Sequence, residues 1–278
     1  MKTYKFQQVD VFTAQPLRGN PLAVVHGADG WTDAQMQTFA HWTNLSETTF
    51  VMAPSHPEAD YKVRIFTPKN ELPFAGHPTL GTCHSWLSLG GVPTHDGVIK
   101  QECGIGLVGI KKAGGRLAFR APPLTKAGPL NDVDLDRVSA ALGVGKTDIL
   151  AHQWVANGPN WCAVVLDSAQ KVLDLTPDFA ALSGDVVGVV GPYPDGSECD
   201  LEVRSFVVPA GINEDPVTGS LNAGLAMWLI PSGMMKDRYV ASQGTILGRE
   251  GRVYVEKLGE DIWVGGDVII CVDGQVTV

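Results

Sequence analysis

Four polar side chains in this sequence have the types and neighbours that proton-transfer chemistry needs: Glu47, His77, Asp215 and Ser220. A positioned carboxylate or imidazole can take a proton from carbon and give it back. Glu47 stands between Ser46 and Thr48. A lone glutamate is most often a solvated surface charge; held in a partly dry cleft, it becomes a proton carrier. His77 follows Gly76 and precedes Pro78 at the head of a very apolar segment. Helix starts present unpaired backbone N–H groups and a positive dipole end, and glycine lets a ligand approach the backbone closely. The bland reading of His77 is an ordinary helix start. Asp215 and Ser220 lie in Glu214-Asp215-Pro216-Val217-Thr218-Gly219-Ser220, ahead of a second apolar segment. Asp215 reads equally as an N-cap before Pro216 and as an acid/base group, and the sequence leaves both open.

The two apolar segments, Pro78 to Leu89 and Leu221 to Ile230, contain no Lys, Arg, Asp or Glu. A helix without a charged face is a buried helix. The segments also belong to a repeat. Val63-Arg64-Ile65-Phe66 returns as Val203-Arg204-Ser205-Phe206, and Ala23-Val24-Val25 as Ala163-Val164-Val165, both 140 residues on. Gly76, Gly81 and Gly90 return as Gly219, Gly224 and Gly233, 143 residues on. A repeat of this length implies a duplicated domain rather than a solenoid. Two helix starts facing each other across a domain interface would make a focused anion site, fit for a substrate carboxylate.

The rest of the chain supplies the frame. Strand patterns run from Lys5 to Phe12, Leu22 to Val25, Ser46 to Val51 and Tyr61 to Phe66. A helix is expected from Thr32-Asp33 to about Trp42, with Thr32 as N-cap, and another starting at Thr176-Pro177-Asp178. Gly97 to Arg120 reads as strands with glycine turns, and Pro122 to Pro129 as a linker. Asn131-Asp132 to Leu142, closed by Gly143, is expected to be a helix connecting the domains. Thr245 to Val278 reads as a meander. The expected domains are residues 1–125 and 126–278, with the last strand a candidate to cross back to the first domain.

Gly104-Ile105-Gly106-Leu107-Val108-Gly109 has the dinucleotide spacing, but a turn at Lys111 to Arg116 follows it instead of the required helix. His84 lies seven residues after His77 with no third ligand at metal spacing, and reads as structural, packed inside the apolar segment. The five cysteines show neither metal nor disulfide spacing. With 278 residues, 44% hydrophobic and 18% charged, the chain can bury a large core. A formal net charge of −9 argues against nucleic acid or an anionic membrane as partner. No apolar run reaches the roughly 20 residues that span a bilayer. The N-terminus enters a strand without a signal-peptide pattern, so a cytoplasmic enzyme with reduced thiols is expected.

Gly19-Asn20-Pro21-Leu22-Ala23-Val24, Asn44-Leu45-Ser46-Glu47-Thr48, Phe66-Thr67-Pro68, Pro73-Phe74-Ala75-Gly76-His77-Pro78-Thr79 and Glu214 to Ser220 occur in that order along nearly the whole chain. Together they resemble the PhzF-like isomerases of phenazine biosynthesis. The resemblance implies a diaminopimelate-epimerase-like α/β (α+β) fold: two duplicated domains, each a β-sheet wrapped round a central buried helix, with the active site in the cleft between them. It implies Glu47 as general base and acid, with His77, Asp215 and Ser220 as supporting catalytic residues and Gly76, Gly219 and Asn20 as substrate contacts. It further implies no cofactor, no metal and a homodimer. The two-thiol epimerases of this fold take one cysteine from each domain; Phe74 to Thr79 and Val217 to Asn222 contain none.

The first functional expectation is therefore a cofactor-independent isomerase that moves a proton on a small carboxylate-bearing substrate, dihydro-hydroxyanthranilate-like or an amino or hydroxy acid. The second is an epimerase or racemase inverting one carbon with two bases. The third is a non-catalytic metabolite-binding protein.

Overall fold

A computed structural model describes residues 1–95 and 97–278. The chain forms two compact units, residues 1–120 with 265–278, and residues 121–264. In chain order the first unit contains β1 (Thr3–Val11), β2 (Asn20–His26), α1 (Asp33–Thr43), β3 (Glu47–Met52), β4 (Tyr61–Phe66), β5 (Glu71–Leu72), α2 (Gly76–Ser88), β6 (Val98–Cys103), β7 (Gly106–Ala113) and β8 (Arg116–Arg120). The second contains α3 (Asp132–Leu142), β9 (Ala151–Trp154), β10 (Cys162–Val165), α4 (Ala169–Leu173), β11 (Val187–Pro192), β12 (Leu201–Phe206), α5 (Gly219–Leu229), β13 (Arg238–Gln243) and β14 (Gly251–Leu258). β15 (Asp261–Gly266) straddles the boundary, and β16 (Val268–Thr277) belongs to the first unit.

The sheet of unit 1 runs β16-β1-β2-β3-β4-β6-β7-β8, with β5 beside β4. β16 lies antiparallel to β1 from Thr3↔Thr277 to Val11↔Val268, so the last strand, the candidate to cross back, closes the sheet of the first unit. α2 packs on β1, β2 and β3 and also on β16 and β8, the two ends of the row. The strands thus curl round the helix. Alternation of side chains along a strand explains how one sheet serves two helices. Leu22 and Val9 face α2, where Gly81 lets them approach the helix backbone. Val25 and Phe50 face the other way, into a cluster with Trp31, Met36 and Phe39 around α1. Burying side chains of this size is worth about 1.5–3 kcal/mol each.

α1 begins where expected. Thr32 accepts from Gln35 N, and Gln35 Oε1 accepts from Thr32 N, a reciprocal cap. It ends at Asn44, whose φ of 53° reverses the chain into β3.

In unit 2 the order is β15-β14-β13-β12-β11-β10-β9. α5 is buried along nearly its whole length, its Leu221 seated on Gly188 of β11. The other face of β10 and β11 packs Cys162, Val164, Val187 and Val189 against Val138, Ala141 and Leu142 of α3. α3 is therefore part of this core and not a bare connection between domains. No helix forms at Thr176-Pro177-Asp178. Residues 179–184 are turns, although Asp178 Oδ1 accepts from Ala180 N and Ala181 N and the Asp178 carbonyl accepts from Leu182 N, the bonds of a helix start. The short helix of this region is α4, upstream, capped by Ser168.

Gly104 and Ile105 form the turn joining β6 to β7, and Gly106 opens β7 opposite Cys103. A Cβ on Gly104 would stand 2.6 Å from the Pro73 Cα, so this glycine lets the turn pack on the chain entering α2. An arginine–glutamate fork also occurs in each unit. Arg64 bonds Glu71 through Nε and Nη2, at 2.7 and 2.6 Å. Arg204 bonds Glu214 likewise, at 2.9 and 2.8 Å.

Candidate active site

Glu47 is the first residue of β3, and Leu22 of β2 lies beside it in parallel register. Asn20 starts β2 and is fully buried. Gly19 makes this placement possible: its N–H donates to Asp10 Oδ2 at 3.0 Å, and an added Cβ would collide with the Val11 carbonyl oxygen. His77 is the second residue of α2, 3% exposed.

These three residues meet within unit 1. His77 Nε2 lies 3.2 Å from Glu47 Oε2, close enough to pair but short of hydrogen-bond alignment. Catalytic contacts are commonly loose before substrate binds. On the other side of the ring, Asn20 Nδ2 is 3.3 Å from His77 Nδ1. Ser46 Oγ donates to Asn20 Oδ1 at 3.1 Å. Burial pushes the His77 imidazole down to about 3, so the ring is neutral at neutral pH. Glu47 keeps 15% of its side chain exposed, and Ser46 is likewise partly exposed, whereas Asn20 and His77 are buried.

His84, by contrast, is half-buried rather than packed fully inside, and burial together with Lys112 lowers its imidazole from the ordinary value.

Asp215, Thr218 and Gln243 form a second polar group within unit 2, and Ser220 follows on the first turn of α5. Thr218 Oγ1 donates to Asp215 Oδ2 at 2.6 Å. The N-cap of α5 is Thr218, not Asp215, so the capping reading of Asp215 fails and its carboxylate is held by the cap instead. Gln243 orders the group through its whole amide. It donates to the Asp215 carbonyl at 3.1 Å and to Thr218 Oγ1 at 2.9 Å, and accepts from Thr218 N at 3.0 Å and Asn222 Nδ2 at 2.9 Å. Ser220 Oγ accepts from Trp161 Nε1 at 3.1 Å, and the Ser220 carbonyl accepts from Asn157 Nδ2 at 2.8 Å.

Gly76 and Gly219 are the first residues of α2 and α5 and both are buried. Among the described residues no side chain caps either helix start. Both therefore present the N–H groups and dipole end that suit a carboxylate.

Ser46, Trp161, Asn157 and Gln243 were not among the residues singled out from the sequence. Gln243 carried a signal: Gln101, 142 residues earlier, also ties a buried amide to its central helix, donating to Thr79 Oγ1 at 3.0 Å.

A family model described as phenazine biosynthesis-like protein matches residues 9–274. The chain belongs to this family. Antisense-enhancing sequence 1 of Schizosaccharomyces pombe is 34% identical over 99% of both chains. Trans-2,3-dihydro-3-hydroxyanthranilate isomerase of Pseudomonas aeruginosa is 32% identical over 92% of this chain and 91% of that one. Among solved structures, a phenazine biosynthesis protein of the PhzF family from Enterococcus faecalis superposes with a TM-score of 0.82 at 26% identity, covering all of both chains. The phenazine biosynthesis-like chain described here thus has the mixed α/β, epimerase-like fold of its family and is an isomerase.

Proposed function

We propose that this enzyme moves a proton within a small carboxylate-bearing substrate of the dihydro-hydroxyanthranilate type, with Glu47 as the carrier. The observation that carries the reading is the row Ser46–Asn20–His77–Glu47, in which a buried neutral imidazole stands 3.2 Å from a partly exposed carboxylate.

Ionised Glu47 takes a proton from a carbon conjugated with the substrate carboxylate. The C–H electron pair enters the allyl system, the double bond moves, and Glu47 returns the proton to the far end. Enzyme protonation is restored and no electrons are lost. Such acid–base catalysis is typically worth 10²–10⁴-fold. Gly76 and Gly219 offer backbone N–H groups to anionic oxygens, Ser220 a hydroxyl and Asp215 a second carboxylate. The isomerase among the relatives supports the substrate class.

Proton NMR in heavy water tests the reading, with dihydro-hydroxyanthranilate as the probe and wild type beside Glu47→Gln. Deuterium at a new carbon, with the double bonds moved and only in wild type, is the expected result. Deuterium at an inverted original carbon would replace it with the epimerase. Equal turnover in Glu47→Gln would remove Glu47 from the chemistry.

A further inference from the structure

We propose that Asn20 is a positioning residue that holds His77 as its Nε2–H tautomer, with its N–H turned to the Glu47 side, and thereby denies the imidazole the part of proton acceptor. The inference rests on Glu47 being the base, and it concerns what happens to the proton once Glu47 holds it.

A neutral imidazole carries one N–H. His77 has two neighbours competing for it. Nε2 faces Glu47 Oε2 at 3.2 Å. An ionised carboxylate only accepts hydrogen bonds, so a hydrogen bond across that contact, not yet aligned at rest, needs the ring proton on Nε2. Nδ1 is then a bare lone pair, and it faces the Asn20 side chain at 3.3 Å. Only the NH₂ end of the amide satisfies a lone pair there. The other end agrees: Ser46 Oγ donates to Asn20 Oδ1 at 3.1 Å. With Asn20 fully buried and Gly19 packed against the neighbouring strand, the amide has little room to turn over.

The consequence appears after proton abstraction. Protonated Glu47 could pass its proton to His77 only if Nε2 became an acceptor. One route moves the ring proton to Nδ1, where it would meet the Asn20 NH₂ donor to donor. The other makes an imidazolium in a site where burial disfavours charge. Both are closed. The proton stays on Glu47 until the substrate takes it back.

The test uses the full chain with ring-¹⁵N-labelled histidine, read by long-range ¹H–¹⁵N correlation at pH 7 without substrate, and with the His77 signals assigned by their loss in His77→Gln. The expected wild-type spectrum has a protonated-type Nε2 and an unprotonated-type Nδ1. Asn20→Asp keeps the shape and replaces the donor facing Nδ1 with an acceptor. It should move the proton to Nδ1 or protonate both nitrogens, and lower kcat by on the order of 10²-fold with KM little changed. A wild type with Nδ1–H, or with both nitrogens protonated, would overturn the proposal. So would a tautomer that Asn20→Asp leaves unchanged. If Asn20→Asp fails to fold, the wild-type spectrum decides alone. Failure of Glu47-dependent deuterium incorporation would instead count against the function proposed above, since the tautomer is read with no turnover at all.

Discussion

Trp161 donates its indole N–H to Ser220 Oγ at 3.1 Å. An indole has no acceptor to offer in return, so the Ser220 hydroxyl must spend its own proton elsewhere. At the first turn of α5 this makes Ser220 a donor, fitted to an anionic oxygen.

Ser220→Ala should therefore weaken binding, raising KM about 5- to 10-fold, the equivalent of one hydrogen bond of roughly 1–1.5 kcal/mol. Trp161→Phe should give a smaller rise, because the hydroxyl then rotates freely but keeps its proton. Steady-state kinetics checks both. A larger loss in Trp161→Phe than in Ser220→Ala would contradict the donor role.

His77 makes acid stability a reporter of the site. Its imidazole sits at about 3 in the folded chain against 6.5 as the ordinary value. The unfolded chain binds a proton that the folded chain refuses. Stability from this group is present above pH 6.5 and lost as pH falls from there toward 3. Between pH 7 and 4 the loss should be on the order of 3 kcal/mol. His26, which burial and Lys5 push down to about 4, adds a loss of the same sign. Denaturant unfolding of His77→Gln should show a shallower fall over that range than wild type. Identical slopes would mean that His77 is not held neutral.

The two arginine–glutamate forks should behave differently despite their shared geometry. Arg204 and Glu214 are 4% and 5% exposed, while Arg64 and Glu71 are 21% and 42% exposed. Arg204→Met strands a buried carboxylate and should cost about 3–5 kcal/mol. Arg64→Met should cost about 1 kcal/mol or less. Arg204 also donates to the carbonyls of Val172 and Leu175, which adds to its share. Comparable midpoints for the two variants in urea unfolding would sink the distinction.

What could be read from the sequence was what local chemistry dictates. α2 and α5 declared themselves by lacking charge, and α1 by the Thr32 cap. Glu47 by itself read as a surface charge, and only the family resemblance of its Ser46-Glu47-Thr48 motif made it a candidate base. The partners of these residues did not declare themselves, because they arrive from far along the chain: Asn20 reaches His77 across 57 positions, and Trp161 reaches Ser220 across 59. No periodicity encodes such meetings; packing makes them. The helix expected at Thr176 did not form. Asp178 does make the bonds of a helix start, but the chain continues only as turns to Gly184 and then enters β11 at Val187. The separate role of α3 was likewise invisible until its apolar face met β10 and β11.

The pairing of β16 with β1 makes the first unit depend on the far end of the chain. Residues 121–264 form their unit from one uninterrupted stretch, whereas the first unit is assembled from two. The first unit, begun earliest, must wait: β1 gains its outer neighbour only when residues 268–277 arrive. Until then a nine-residue strand shows an open edge, the kind of surface on which chains stick to one another. The half that carries Glu47 and His77 is thus the last to be finished, and a nascent chain cut short before residue 268 would leave the candidate base on an incomplete sheet.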